Sequence, residues 1–334
     1  MSQAKDEIAI IGNCCDTGIG FATYDFYKHL PFTRWLVVPH RTIRTNTRRL
    51  DENCRLLKRG VKRAELRNEL SRVKALFAIQ HGYYPGIFTL ARTLGIRTVL
   101  MPNAEWFEPQ DPDLLSVSQF VAPTLSCLAM LTEEGFGDRS VYIPHPIDTD
   151  RFVYTRRVTA SMFLHCRGRG GYKERKGTDL VFQAARLCND IPFIIRSQTD
   201  LEHIPGNAVV HMSSIEPEEQ YMVGDICIQP SRWEGVGLQI LEAMACGLPT
   251  IVPDAAPMNE YPTDRQFCVP ARSTAVTVND KSWVSWEIDP DILASTIREL
   301  YGSRLTEWSI QAREKMELRS WARLKAQLGD VIGY

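Results

Sequence analysis

The stretch of this chain richest in groups that could do chemistry runs from Asp225 to Thr250 and reads DICIQPSRWEGVGLQILEAMACGLPT. It carries two carboxylates, Glu234 and Glu242, on either side of a Gly235-Val236-Gly237-Leu238 turn. The two glycines let the backbone turn tightly and approach a ligand with no Cβ in the way. A helix starting near Leu238 would aim its free N–H groups and the positive end of its dipole at that turn, which makes the turn an anion site. Gly247, with Pro249 just beyond, supplies the stop. Carboxylates repel phosphate, so Glu234 and Glu242 suit the hydroxyls of sugars flanking a diphosphate. A second loop, His165-Cys-Arg-Gly-Arg-Gly-Gly-Tyr-Lys-Glu-Arg-Lys-Gly177, offers the cations: Arg167, Arg169, Lys173, Arg175 and Lys176.

Short apolar runs must hold these loops. Ile8–Ile11, Trp35–Val38, Leu76–Ile79, Thr98–Leu100 and Phe120–Ala122 read as buried parallel strands, with amphipathic stretches such as Phe21–His29 and Gly86–Leu94 between them. Two prolines at alternate positions in Tyr142–Asp148 stiffen the chain and suit a linker. Alternation then restarts with Met162–Cys166, a helix over Thr178–Leu187, and strands at Phe193–Arg196, Ala208–His211, Asp225–Gln229 and Thr250–Val252. The tail, Pro290–Leu328, reads as helices with Trp308, Met316 and Trp321 turned inward. The fold class expected is therefore α/β, with two doubly wound halves whose ligands bind beyond the carboxyl ends of the strands.

The 334 residues, with 24% charged and a formal net charge of −1, are ordinary for a globular chain of about two domains and exclude a disordered one. The start, MSQAKDEIAIIG, has no secretory pattern. The most apolar run, Phe120–Leu131, is short and broken by Pro123, so no integral membrane segment is expected. Nine scattered cysteines fit reduced thiols in a cytoplasmic protein, and no Cys/His set has zinc spacing.

With these residues in hand, the chain resembles the retaining nucleotide-sugar glycosyltransferases of the GT-B fold that carry an E-x7-E motif, the glycosyl transferases of group 1. Glu234 and Glu242 match the two glutamates. Gly168-Arg169 with Lys176-Gly177 is similar to the family's "GR…KG" pair, Ile143–Phe152 to its interdomain segment, and Ser320-Trp321 to its terminal helix. The match is good over about residues 142–330. The resemblance implies two Rossmann-like domains facing a cleft: residues 1–145 on the acceptor side, 146–315 holding the nucleotide sugar, and a C-terminal helix, 316–334, returning to brace the first. It also implies roles. Glu234 would hold a donor-sugar hydroxyl, Glu242 the ribose, and Arg169 and Lys176 the diphosphate. Arg169 and Lys176 lie farther apart than is usual, and Arg167, Lys173 and Arg175 compete for the role. The helix starting at Leu238, with Gly235, Val236 and Gly237, completes the donor contacts. No metal or cofactor is called for. The nucleoside-diphosphate sugar, with UDP the commonest carrier, is a co-substrate.

Other signals are weaker. Asn13–Gly20, with Gly18 and Gly20, resembles the glycine loop that faces the diphosphate from the first domain, and fails as a dinucleotide fingerprint because Thr23 stands at the third glycine position. His81 follows a strand at a position where relatives place a histidine near the donor sugar; a core role is the alternative. Asp111-Pro-Asp113 and Asp148-Thr-Asp150 spell DxD but lack other ligands nearby. Residues 41–74 hold twelve Lys and Arg against four Asp and Glu, with no Phe, Tyr or Trp. One reading is a solvated helical face over Leu50, Leu57, Val61, Leu66 and Leu70. The other is an acceptor patch for a polyanion, centred on Arg44, Arg48, Arg49, Arg59, Lys62 and Arg63. The excess of positive charge favours double-stranded DNA with a hydroxymethylated base. Some phage enzymes of this fold glucosylate such bases, and the compact length here is similar. An anionic membrane surface with a lipid or glycan acceptor, a small metabolite, a donor epimerase and a non-catalytic nucleotide-binding module remain as alternatives.

Overall fold

Strands form where apolar residues run without polar interruption, and the first such run is strand β1 (Glu7–Gly12). It pairs in parallel with β2 (Arg34–Val37) on one side and β4 (Val73–Ile79) on the other. With β3 (Cys54–Leu56), β5 (Arg97–Met101), β6 (Gln119–Ala122) and β7 (Ser140–Tyr142) they make a seven-stranded sheet in the order β3-β2-β1-β4-β5-β6-β7. The computed structural model describes residues 6–212, 216–278 and 281–334. Alternate residues of β1 serve opposite faces. Ala9 and Ile11 join a core with Leu66 of helix α2 (Arg63–Glu69) and Leu70 just after it, Phe88 and Ala91 of α3 (Ile87–Thr93), and Cys127 and Leu131 of α4 (Leu125–Glu133). Elsewhere in the sheet, Phe77 stacks on Phe26 of α1 (Gly18–His29) at 5.2 Å. The last helix, α9 (Trp321–Ile332), belongs to this unit: Trp321 lies edge-on to Phe26 at 4.8 Å and stacks on His29 at 4.7 Å.

The second unit comprises Pro146–Ser320. Its six-stranded sheet has the order β10-β9-β8-β11-β12-β13, from β8 (Phe163–Gly168), β9 (Phe193–Ser197), β10 (Ala208–Met212), β11 (Ile226–Ile228), β12 (Thr250–Pro253) and β13 (Cys268–Val269). Phe163 of β8 packs with Leu180, Val181 and Ala184 of α5 (Thr178–Leu187) and Leu293 and Ile297 of α7 (Pro290–Leu300). Its neighbour Leu164 packs on the other face with Ile240, Leu241 and Met244 of α6 (Leu238–Ala245) and Ala312 and Met316 of α8 (Thr306–Glu317). Period-two alternation in one strand thus builds both cores.

Strands β3, β7 and β13 have no counterpart in the sequence reading, and neither has one larger element. Between β13 and α7 an antiparallel pair, β14 (Ala271–Val278) and β15 (Lys281–Ile288), stands as its own two-stranded sheet. Its β-branched and aromatic alternation (Val276, Thr277, Trp283, Val284, Trp286) was the available signal. Residues 41–74 also depart from a helical face: they hold one 3₁₀ turn at Thr47–Arg49, β3 and the short α2. Among the described residues, no helix is long and apolar enough to cross a membrane.

Candidate active site

The strand order of the second sheet reverses at β8, whose neighbours are β9 and β11. A crevice opens beyond the carboxyl ends of β8 and β11 at such a point, and it is the usual ligand position in sheets of this kind. The loop 167–177 leaves β8 there and the loop 229–237 leaves β11. The two are in contact: a Cβ added to Gly177 would stand 2.3 Å from the Pro230 carbonyl oxygen. Gly177 (φ 68°) and Gly237 (φ 81°) are the N-caps of α5 and α6 in left-handed backbone, and no side chain caps either helix. Two helix N-termini therefore open on the same crevice.

Glu234 is 8% exposed. Arg175 Nη2 donates to its Oε2 at 2.8 Å and Lys176 Nζ to its Oε1 at 2.6 Å. Burial alone would raise this carboxyl's pKa, but Lys176 and Arg175 outweigh burial and bring it to about 2. The result is one buried anion held between two cations beside the glycine that starts α6. Glu242, on α6, accepts a 2.6 Å hydrogen bond on its Oε2 from the hydroxyl of the fully buried Tyr221. The carbonyl of Val236 accepts from Tyr261 Oη at 2.5 Å, which pins the turn.

Among the arginines, the one that meets Glu234 is not the one that the resemblance singles out for the diphosphate. Arg169 is exposed and makes no ion pair among the described residues, and the loop around it turns through Gly168, Gly170 and Gly171 at positive φ. Arg175 takes the place beside Lys176 instead. Arg167 pairs with Glu174 at 3.2 Å and also donates to Thr199.

Tyr221 and His165 are among the residues that the sequence did not single out. Tyr221 lies far from Glu242 in the chain and gave no motif. His165, in the middle of β8, is fully buried; its Nδ1 bonds the Ile228 carbonyl at 2.8 Å and its Nε2 the Thr178 hydroxyl at 2.9 Å. Burial pushes it down to about 4, so it stays neutral and ties β8 to β11 and to the start of α5. A polar residue inside an apolar strand was its signal.

The remaining candidates belong to the first unit, at the reversal of its own sheet beside β1 and β4. His81 follows β4 and its ring lies edge-on to Phe107 at 5.6 Å. Gly18 opens α1. Gly20 is packed against backbone, since a Cβ there would meet the Cys15 carbonyl oxygen at 2.1 Å. Thr17 caps α1 by accepting from Gly20 N at 3.2 Å, so part of this helix's anion-binding capacity is already used.

Two members of the basic patch are engaged within the fold. Arg49 pairs with Asp16 at 3.0 Å and lies over the Phe21 ring, and Arg59 donates to the His40 carbonyl. Arg44, Arg48, Lys62 and Arg63 are exposed and form no ion pair among the described residues. Both DxD sequences serve the backbone. Asp113 accepts from Phe88 N and Thr89 N at the start of α3, and Asp148 from Asp150 N and Arg151 N.

Residues 163–301 match the family model described as Glycosyl transferases group 1. No curated protein matches the sequence. Among solved structures, the chain resembles the pneumococcal O-GlcNAc transferase GtfA in complex with UDP and GlcNAc, with 16% identity and a TM-score of 0.62. That likeness covers 80% of this chain and 58% of GtfA, so the chain spans little more than half of that protein. Anabaena HepE in complex with UDP and glucose is similar over 97% of this chain and 98% of its own, at 10% identity and a TM-score of 0.73. The lipopolysaccharide outer core galactosyltransferase WaaB is similar over 98% and 99%, at 13% identity and a TM-score of 0.68. At these identities the likeness is one of fold, and that fold is the two-sheet α/β architecture of GT-B glycosyltransferases.

Proposed function

We propose that this protein is a retaining, metal-independent glycosyltransferase that moves a sugar from a nucleoside diphosphate, with UDP as the nucleotide, to a hydroxyl acceptor. The observation that carries this reading is the buried Glu234 carboxylate held between Arg175 and Lys176 at the uncapped start of α6. The similar structures support the donor class, since GtfA and HepE are described with UDP and a sugar. Loss of the diphosphate leaves negative charge on its oxygens. Lys176, Arg175 and the N–H groups of α5 and α6 stabilise that charge in a site already oriented for it. Glu234 would accept from a sugar hydroxyl, and Glu242, steadied by Tyr221, from the ribose. Attack on the same face as departure, with the leaving phosphate oxygen taking the acceptor proton, needs no separate general base. The test is release of nucleotide from UDP-, GDP- and ADP-sugars. Saturable binding of UDP with no turnover of any donor would replace the enzyme by a binding module. Turnover that only isomerises the donor would make it an epimerase.

For the acceptor, the reading is duplex DNA bearing a hydroxylated base. Arg44, Arg48, Lys62 and Arg63 support it as exposed cations, without an ion pair among the described residues, in a segment with no aromatic residue for entering a membrane interface. Reversing all four to Glu is expected to lower the salt slope of duplex binding by about 3 to 4. Labelled sugar is expected on 5-hydroxymethylcytosine DNA and not on unmodified DNA or lipid extracts. An unchanged salt slope in the reversed variant, or equal labelling of lipid, would overturn the DNA assignment.

A further inference from the structure

The turn that carries Arg175 and Lys176 is one that a free chain would not hold. Lys173 and Glu174 are consecutive non-glycine residues in left-handed backbone, with φ of 45° and 51°, and Gly177 follows at 68°. Conformations of this kind persist only when neighbours over-determine them. The neighbour here is Arg232, two residues before Glu234. Its backbone N–H donates to the Arg175 carbonyl at 2.7 Å. Its Nη1 donates to the Glu174 carbonyl at 2.6 Å and to Asp179 Oδ1 at 2.8 Å, and its Nη2 to Asp179 Oδ2 at 2.8 Å. Its Nε reaches both oxygens of Glu287 at 2.7 and 2.9 Å. The Arg232 carbonyl in turn accepts from Trp286 N at 2.8 Å. Lys173 Nζ donates to the Thr277 carbonyl on the opposite strand of the β14–β15 pair.

We infer that Arg232 is a positioning residue of the donor site and that the β14–β15 hairpin is its anchor. The Glu287–Arg232–Asp179 brace holds the strained 173–177 turn against the Glu234 loop, so that Arg175 and Lys176 stand ready for the donor phosphates. The inference rests on reading these loops as the donor site. Only a guanidinium can do this, because five N–H donors in a rigid fork serve two carboxylates and a carbonyl at once, where an ammonium would serve one direction at a time. The hairpin thereby has a structural role in the site, because it supplies Glu287, Trp286 and Thr277 to one side of the turn.

The experiment uses the full chain with UDP as the probe, measuring affinity by calorimetry and backbone hydrogen exchange at 173–177. Arg232→Ala is expected to weaken UDP by about tenfold or more and to speed exchange at 173–177, with the β8–β12 strands still protected. Arg232→Lys and Glu287→Gln are expected to fall between it and the native chain, which keeps the test open should Arg232→Ala fail to fold. Lys176→Ala separates the two readings. If it leaves UDP affinity unchanged, the donor-site reading itself fails. If it weakens UDP while Arg232→Lys and Glu287→Gln bind UDP within about twofold of native and exchange normally at 173–177, the brace alone is overturned.

Discussion

The two sheets reverse their strand order in the same way, yet the loops at the two reversals are built differently. In the second unit both helices that open on the crevice, α5 and α6, begin at a left-handed glycine with no side-chain cap, and the buried carboxylate nearby is matched by two cations. In the first unit, α1 is capped by Thr17, its Gly20 is jammed against the Cys15 carbonyl, and the adjoining Arg49–Asp16 pair is closed on itself. A helix start whose donors are satisfied internally has less to offer an anion. The same supersecondary unit therefore leaves two helix starts without a side-chain cap at one reversal and a capped, tightly packed α1 at the other. What the first unit leaves open is side-chain charge: Arg44, Arg48, Lys62 and Arg63 on its surface.

The largest effect that tests this contrast is on Glu234. Glu234→Gln keeps the shape of the side chain and removes the charge. Donor turnover is expected to fall by about 100-fold or more, an effect of the size seen when one charge-stabilising contact is removed. UDP affinity should hold or rise, because Arg175 and Lys176 lose the carboxylate that competes with phosphate for them. A variant that turns over at the native rate would remove Glu234 from the chemistry. One that loses UDP binding along with turnover would mean that the carboxylate orders the cations rather than competing with the ligand.

The second effect is on stability against pH. The Glu234 carboxyl lies at about 2 in the fold against an ordinary 4.5, so the folded state favours its ionised form. Its contribution is fully present above pH 4.5 and is lost as pH falls through about 2. An acid unfolding series should therefore show the native chain losing more stability than Glu234→Gln across that window, and the two curves converging at its lower end. Parallel curves would show that the pair with Arg175 and Lys176 does not hold in solution.

How much of this was legible in the sequence follows from how local each signal is. The central strands of both sheets and the Leu238 helix could be read because apolar runs and glycine turns act over a few residues, whereas the short edge strands β3, β7 and β13 could not. Glu234, Glu242 and Lys176 could be named as candidates for the same reason: each sits in a short motif joined to its own strand and helix. Which arginine meets Glu234 beside Lys176 could not be read. The choice among Arg167, Arg169 and Arg175 depends on a turn through Gly168, Gly170 and Gly171 and two left-handed residues, and spacing alone could not resolve it. Tyr221, Arg232 and Glu287 were missed because their partners are 21, 53 and 55 residues away, and such long-range pairs leave no periodic trace. Within the basic segment, the partners of Arg49 and Arg59 likewise lie too far along the chain to be read from it.

The smallest expected effect is the one that bears most directly on the first unit. Thr17→Ala removes the hydroxyl that accepts from Gly20 N and leaves that N–H without its cap. Loss of an N-cap of this kind costs about 1 kcal/mol, which should appear as a modest fall in Tm, with Thr17→Ser restoring most of it. If the cap is purely structural, UDP affinity in Thr17→Ala stays at the native value, because the exposed donor faces no phosphate. The sequence resemblance points the other way, since it gives the Gly18–Gly20 loop a share in holding the diphosphate. Under that reading the uncapped helix start becomes a better anion site, and UDP binds more tightly in Thr17→Ala at low salt despite the lower Tm. Calorimetry on Thr17→Ala, Thr17→Ser and the native chain at two salt concentrations separates the cases: equal affinities keep the donor with the second unit, and a salt-sensitive gain confined to the alanine variant would bring the first helix into the site.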